Sequence, residues 1–235
     1  MCFHISNHQP KQSISKAFQK ELVSQKEWTP AFHQNGFDKP WVPVISTQNP
    51  ELISLYRWRL IPYGVKAEED FTNNTLNARA EDIFMRAAYK DIWHQRCLVI
   101  CTGFFEPHKT STGQKQAFYI FPKNQEFFTL AGIWSDALGF PSFSILTREA
   151  NEKLAQIHNE KKRMPLILDS KMSALWLDKN IDKTELLSCF QYEFPNEAIE
   201  AYRVKQDVLN TRKNSNHPEV IQPYFPNEGS QGSLF

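Results

Sequence analysis

Between Cys97 and Thr147 the chain sets four apolar runs in close succession: CLVIC from Cys97, QAFYIF from Gln116, EFFTLAGIW from Glu126 and SFSILT from Ser142. Runs of this length, rich in β-branched and aromatic residues, read as strands, and the glycines and lysines between them supply the turns. This block commits the chain to an antiparallel sheet. Arg57 to Pro62 (RWRLIP) reads as one more short strand, ended by its proline. Helical spacing is found on either side. Ile83, Phe84, Ala87, Ala88 and Ile92 predict a helix over Glu81 to Trp93. A second helix is expected after Thr147 as N-cap, burying Ala150, Leu154 and Ile157, and a third from Ser170 to Leu177 behind Asp169. Asn7 to Lys26 is polar with weak helical spacing at Phe18, Leu22 and Val23, and Trp28 to Pro50 alternates prolines with aromatics, which suits strands and turns. The sum is an α+β fold, with one domain over residues 1–220 and a loose Pro/Asn/Gly/Ser-rich tail over 221–235.

Composition narrows the function only by exclusion. The 235 residues are 41% hydrophobic and 23% charged, as in an ordinary globular domain. A net charge of +1 gives no domain-wide positive field, so any nucleic-acid contact has to come from a local cluster of Arg and Lys. The 18 Phe, 7 Tyr and 6 Trp fill a core and leave rings to stack on bases. Four cysteines (Cys2, Cys97, Cys101, Cys189) are too few for a disulfide scaffold. The N-terminus lacks the apolar core of a signal peptide and no apolar run approaches membrane-spanning length. The expectation is a cytoplasmic, reducing setting with the thiols available and no membrane partner.

Four groups carry chemistry. Removal of Met1 would leave Cys2 with a free α-amine beside its thiol. An α-amine titrates near roughly 7.7–8.0, so a fraction is neutral and nucleophilic at cell pH. Attack on an aldehyde gives a Schiff base, and the thiol closes on it as a five-membered thiazolidine. In T-G-F-F-E-P, Glu106 follows an apolar strand, where partial desolvation would suit a general acid–base; an ion-paired turn residue fits the segment as well. In N-A-R-A-E, Asn77 either orients a reacting group or caps the helix it opens, and Arg79 offers a bidentate partner for phosphate. In I-H-N-E-K-K-R-M-P, His158 ends a helix, as a proton donor or as a partner of the helix dipole, and Arg163 is a phosphate ligand candidate.

These segments, with Met1-Cys2 and Trp58-x-Leu60-Ile61-Pro62, resemble in order the SOS response-associated peptidase (SRAP) family over roughly residues 2 to 220. The resemblance implies an α+β domain built round a distorted antiparallel β-barrel with flanking helices and a positively charged DNA groove. It also implies a thiazolidine crosslink between Cys2 and an abasic site in single-stranded DNA, as part of DNA repair in the SOS response. Self-removal of Met1 explains the protease label, and β-elimination at the abasic site supplies a lyase activity. Cys2 is then the nucleophile, oriented by Asn77; Glu106 is the acid–base and His158 assists opening of the deoxyribose. Arg79 grips the backbone, while Trp58, Arg59, Lys161, Lys162, Arg163 and His4 are the remaining DNA-facing candidates. The implied protein is a monomer without cofactor or metal.

Three departures stand out. His4 occupies the place where many members carry Arg, so a phosphate ligand is replaced by a ring that is mostly neutral at pH 7. Arg59 stands where Gly is frequent, and four residues, Asn159 to Lys162, separate His158 from Arg163, more than in many members. Competing readings are a metal site at His94, Cys97 and Cys101, whose spacing matches no standard zinc pattern, a cysteine peptidase using Cys2 with His158, and a single-stranded DNA-binding module without covalent chemistry.

Overall fold

A computed structural model describes residues 2–210 and 215–225. Its strands are β1 (His4–Asn7), β2 (Glu21–Leu22), β3 (Ala31–Asn35), β4 (Trp41–Ser46), β5 (Leu52–Trp58), β6 (Asn77–Arg79), β7 (Arg96–Cys101), β8 (Gly103–Lys109), β9 (Lys115–Pro122), β10 (Phe128–Ser135), β11 (Ser142–Glu149), β12 (Arg163–Pro165), β13 (Ile167–Leu168) and β14 (Ile199–Val204). The α-helices are α1 (Lys11–Phe18), α2 (Glu152–Ile157), α3 (Ser170–Leu177) and α4 (Lys183–Gln191). The fold is α+β and mostly sheet, as expected.

Two sheets share the chain. The smaller runs β14-β9-β8-β1-β3, and the larger runs β12-β11-β10-β7-β4-β5-β2, with β13 on β10 and β6 on β11. All neighbours on the path from β12 to β5 are antiparallel. A parallel contact of β5 with β11, at Ser142 opposite Arg57 and Phe143 opposite Trp58, brings five of these strands back on themselves. In place of the expected distorted antiparallel β-barrel, the sheet forms a ring closed through this short parallel seam. One apolar cluster, with Val44, Trp58, Val99, Phe104, Phe128 and Phe143, reaches Cys2 at its edge. A second, with Leu55, Leu98, Ile133, Leu166 and Trp176, is covered by α3 and α4.

Several local expectations change. Glu81 to Trp93 is not an α-helix: a single 3-10 turn (Ala80–Asp82) is followed by separate turns whose hydrogen bonds end on Asp82, Arg86, Tyr89 and Ile92 carbonyls. Ile83, Tyr89 and Ile92 drop into the second cluster while Ala87 faces out, so packing overrides a weak local preference. The N-cap of α2 is Asn151, whose side chain accepts from Leu154 N, because Thr147 continues β11. Asp169 caps α3 as read. The strand read at Arg57–Pro62 ends at Trp58, because Arg59 adopts φ 103°. That backbone region costs a side-chain-bearing residue roughly 1–3 kcal/mol. Arg59 is held by its guanidinium, which donates to Phe71 O and lies over the Phe71 ring. Of the expected tail, residues 226–235 lie outside the described residues, as does Met1.

Candidate active site

Cys2 stands two residues before the start of β1, which lies antiparallel between β3 and β8. Asn77 Nδ2 donates to Cys2 O at 2.8 Å, and Gly36 N donates to the next carbonyl, Phe3 O, at 2.8 Å. Asn77 does not cap a helix. It begins β6, which lies parallel to β11 with Asn77 opposite Ile145, and this register aims its side chain back at the N-terminus. Its Oδ1 is buried and has no hydrogen-bond partner among the described residues. The Cys2 thiol is fully buried. Burial first, then the nearby Glu106 carboxylate, pushes it well above its ordinary range, so it is a thiol at neutral pH.

Glu106 is carried on β8 and is 2% exposed, neither a turn residue nor a surface one. Its Oε2 stands 3.6 Å from Nδ1 of His158. His158 is the C-cap of α2, and its Nδ1 is 2.8 Å from Arg163 O. A carbonyl only accepts, so Nδ1 carries the proton and donates it there. Cys2, Asn77, Glu106 and His158 are thus linked by contacts although they come from four separate segments.

The residues expected to face DNA divide into two groups. Arg79, Lys161 and Lys162 are exposed, Arg79 at the end of β6 and the lysines in the turn leading to β12. Both elements border β11, where Thr147 is opposite Arg79 and Pro165. Arg163 lies between them but is engaged: its guanidinium holds Glu81 through both carboxylate oxygens (2.6 and 3.0 Å) and donates to Thr147 O. Trp58 is a correction. It is fully buried, donates through Nε1 to Leu76 O at 2.9 Å and stacks on Phe143, because the β5–β11 seam encloses it. His4 is a second correction: its ring turns away from solvent, with Nδ1 3.0 Å from Nε2 of His33. Burial lowers it to about 3, so it carries no charge for a phosphate. Arg59 is tied to the Phe71–Asn73 backbone.

Comparison with known proteins decides the family. The family model described as SOS response associated peptidase (SRAP) matches residues 1–211. The chain belongs to the SRAP family. Among its relatives is the abasic site processing protein HMCES of Gallus gallus, 26% identical over 196 residues, which cover 71% of this chain and 56% of that protein. The chain thus spans about half the length of that curated relative. A crystal structure of a protein from Bacteroides thetaiotaomicron superposes with a TM-score of 0.84 at 31% identity, covering 95% of this chain and 100% of that one. A protein from Bordetella bronchiseptica shares the fold at a TM-score of 0.73 and 23% identity, covering 87% and 100%.

The SRAP motifs left four neighbours unread. Cys101 lies close to the Cys2 thiol; His33 holds His4; His108 and Asn159 fasten the segment that carries His158. Only His108 left a signal, two residues after Glu106 and hence on the same face of one strand. His94 is exposed whereas Cys97 and Cys101 are fully buried, and among the described residues no group of three or more His, Cys, Asp or Glu is arranged to hold a metal. Among those residues no helix is long and apolar enough to cross a membrane.

Proposed function

We propose that this SRAP protein processes abasic sites in single-stranded DNA by forming a covalent thiazolidine through Cys2 once Met1 is removed. The observation that carries this reading is that Asn77 bonds the Cys2 carbonyl and Glu106 lies beside the Cys2 thiol, with His158 in turn beside Glu106. The name of the Gallus gallus relative, an abasic site processing protein, points the same way.

The chemistry follows from the groups present. The ring-opened abasic sugar offers an aldehyde. The Cys2 α-amine adds to it, and loss of water gives a Schiff base. The thiol then adds across the C=N bond; its proton passes to the nitrogen, and the ring closes. The net change is aldehyde plus aminothiol giving thiazolidine plus water. Asn77, bonded to the Cys2 carbonyl, holds the amine in place. Glu106 is the acid–base that moves protons in water loss and in reversal. His158 serves as proton donor to the ring oxygen as the deoxyribose opens. If the Schiff base instead loses a proton from C2′, the 3′-phosphate leaves by β-elimination and the strand is cut. Arg79, Lys161 and Lys162 supply phosphate contacts beside the site. Self-removal of Met1, the activity that names the family, would expose the amine.

A single-stranded oligonucleotide with one abasic site, mixed with the protein and run on a denaturing gel, tests this. A shifted band that survives boiling, needs the aldehyde and is lost in Cys2→Ala is the expected result. Salt-sensitive binding without any such band, with Met1 shown by mass spectrometry to be removed, would leave a non-covalent DNA-binding module in its place.

A further inference from the structure

His158 belongs to a segment with little helix of its own to hold it. α2 ends at Ile157, and the next six residues, His158 to Arg163, must leave the helix and return to β12. Residues 158–162 fold into one closed turn, with Lys162 N bonded to His158 O at 2.9 Å and Lys162 at φ 47°. That turn holds the four residues, Asn159 to Lys162, that separate His158 from Arg163. It is fastened to β8 at two points. His108 Nδ1 lies 3.0 Å from Gln156 O and 3.2 Å from Ile157 O, so this ring nitrogen donates to the last carbonyls of α2. The Asn159 amide pairs with the Lys109 backbone in both directions: Lys109 N donates to Asn159 Oδ1 at 3.0 Å, and Asn159 Nδ2 donates to Lys109 O at 2.8 Å.

The sheet explains why β8 accepts such partners. β1 pairs with β8 only as far as His4 opposite Phe105, whereas β9 continues along its other side to Lys109 opposite Lys115. Past Phe105 the β1 edge of β8 therefore presents backbone groups without a strand to bond them. The Asn159 side chain takes that role at Lys109. Glu106 and His108 point to one face of β8, so the strand that carries the carboxylate also anchors the helix end that carries the imidazole. The nearby Lys109–Glu160 ion pair is half exposed and adds little.

We infer that His108 and Asn159 are positioning residues, which hold the turn after α2 against β8 so that His158 stands at Glu106. The inference rests on the roles given above to Glu106 and His158, and its test separates the two. First, the ring 1H–15N correlation of His158 in the free protein reports the Nδ1–H bond to Arg163 O without any DNA chemistry. It should be displaced in His108→Leu and Asn159→Ala and return near the wild-type position in His108→Asn, whose amide still donates to Gln156 O. Second, the rate of adduct formation against pH should fall about ten-fold in the first two variants, part of the roughly 10²–10⁴ a general acid–base supplies. Its pH profile should change shape, and His108→Asn should restore it. An unmoved His158 resonance in His108→Leu overturns the inference, as does a slowed reaction whose pH profile keeps its shape. Displaced resonances in a protein that forms no adduct would uphold the positioning role and remove the covalent reading alone.

Discussion

Arg96 and Glu106 are buried to nearly the same degree, 1% and 2% exposed, on consecutive strands β7 and β8, and they are treated in opposite ways. Arg96 is enclosed by backbone carbonyls: Nε donates to Trp176 O at 2.8 Å and the two terminal nitrogens to His94 O and Asp178 O. It locks β7 to the end of α3 beneath the second cluster. Glu106 faces a histidine at 3.6 Å and a neutral thiol, with the unsatisfied Asn77 Oδ1 nearby in the same site. A buried charge bonded on all sides specifies structure, whereas one surrounded by groups that exchange protons is available for chemistry.

The contrast is sharpest in Glu106→Gln. Adduct formation should slow by roughly 10²–10⁴, while thermal stability holds or rises, since an amide is cheaper to bury than a carboxylate. A substantial loss of stability would place Glu106 with Arg96 and break the comparison. Arg96→Leu should do the reverse. Carbonyls left without donors cost about 3 kcal/mol or more together, a fall in melting temperature of roughly 6–12 °C, with the adduct rate per folded molecule unchanged.

The paired rings beside the site predict a smaller effect. Burial lowers His4 from 6.5 to about 3 and His33 to about 4. The folded state thus binds fewer protons than the unfolded one below pH 6.5, and stability is lost as pH falls from there through about 4 to about 3. Melting temperatures measured from pH 7 to 4 should drop less steeply in the double variant His4→Phe, His33→Phe; an identical pH dependence would show that these rings do not carry it. Smallest of all, Arg79→Ala should weaken binding to single-stranded DNA of any sequence and reduce the salt slope by about one. Arg163→Ala should alter that slope less, because Glu81 already neutralises Arg163. A larger change for Arg163 would mean that DNA displaces Glu81.

Legibility differed from element to element. The runs at Cys97, Gln116, Glu126 and Ser142 became β7, β9, β10 and β11, because short apolar runs rich in β-branched and aromatic residues suit strands buried in a sheet. α4 was missed even though Asp182 and Glu185 form a capping box, the local pattern that marks a helix start. The stripe from Ile83 to Ile92 misled: the same apolar residues are buried by separate turns as well as by a helix. Trp58 misled in the other direction, since an aromatic in a motif does not disclose which face of its strand the sheet will cover.

The sequence by itself determined that the chain would be α+β, that it carries the SRAP motifs in order, and which residue types are able to act: a thiol at Cys2, a carboxylate at Glu106, an imidazole at His158. Those are properties of local composition and spacing. Only the tertiary structure decided that Asn77, 75 positions along the chain, would bond the Cys2 carbonyl, that Glu106 would lie within reach of His158, and that His4 would turn to His33 and Arg163 to Glu81. The physical reason is that charge state and partner depend on burial and on strand register. Both are set by contacts between segments that no local pattern connects.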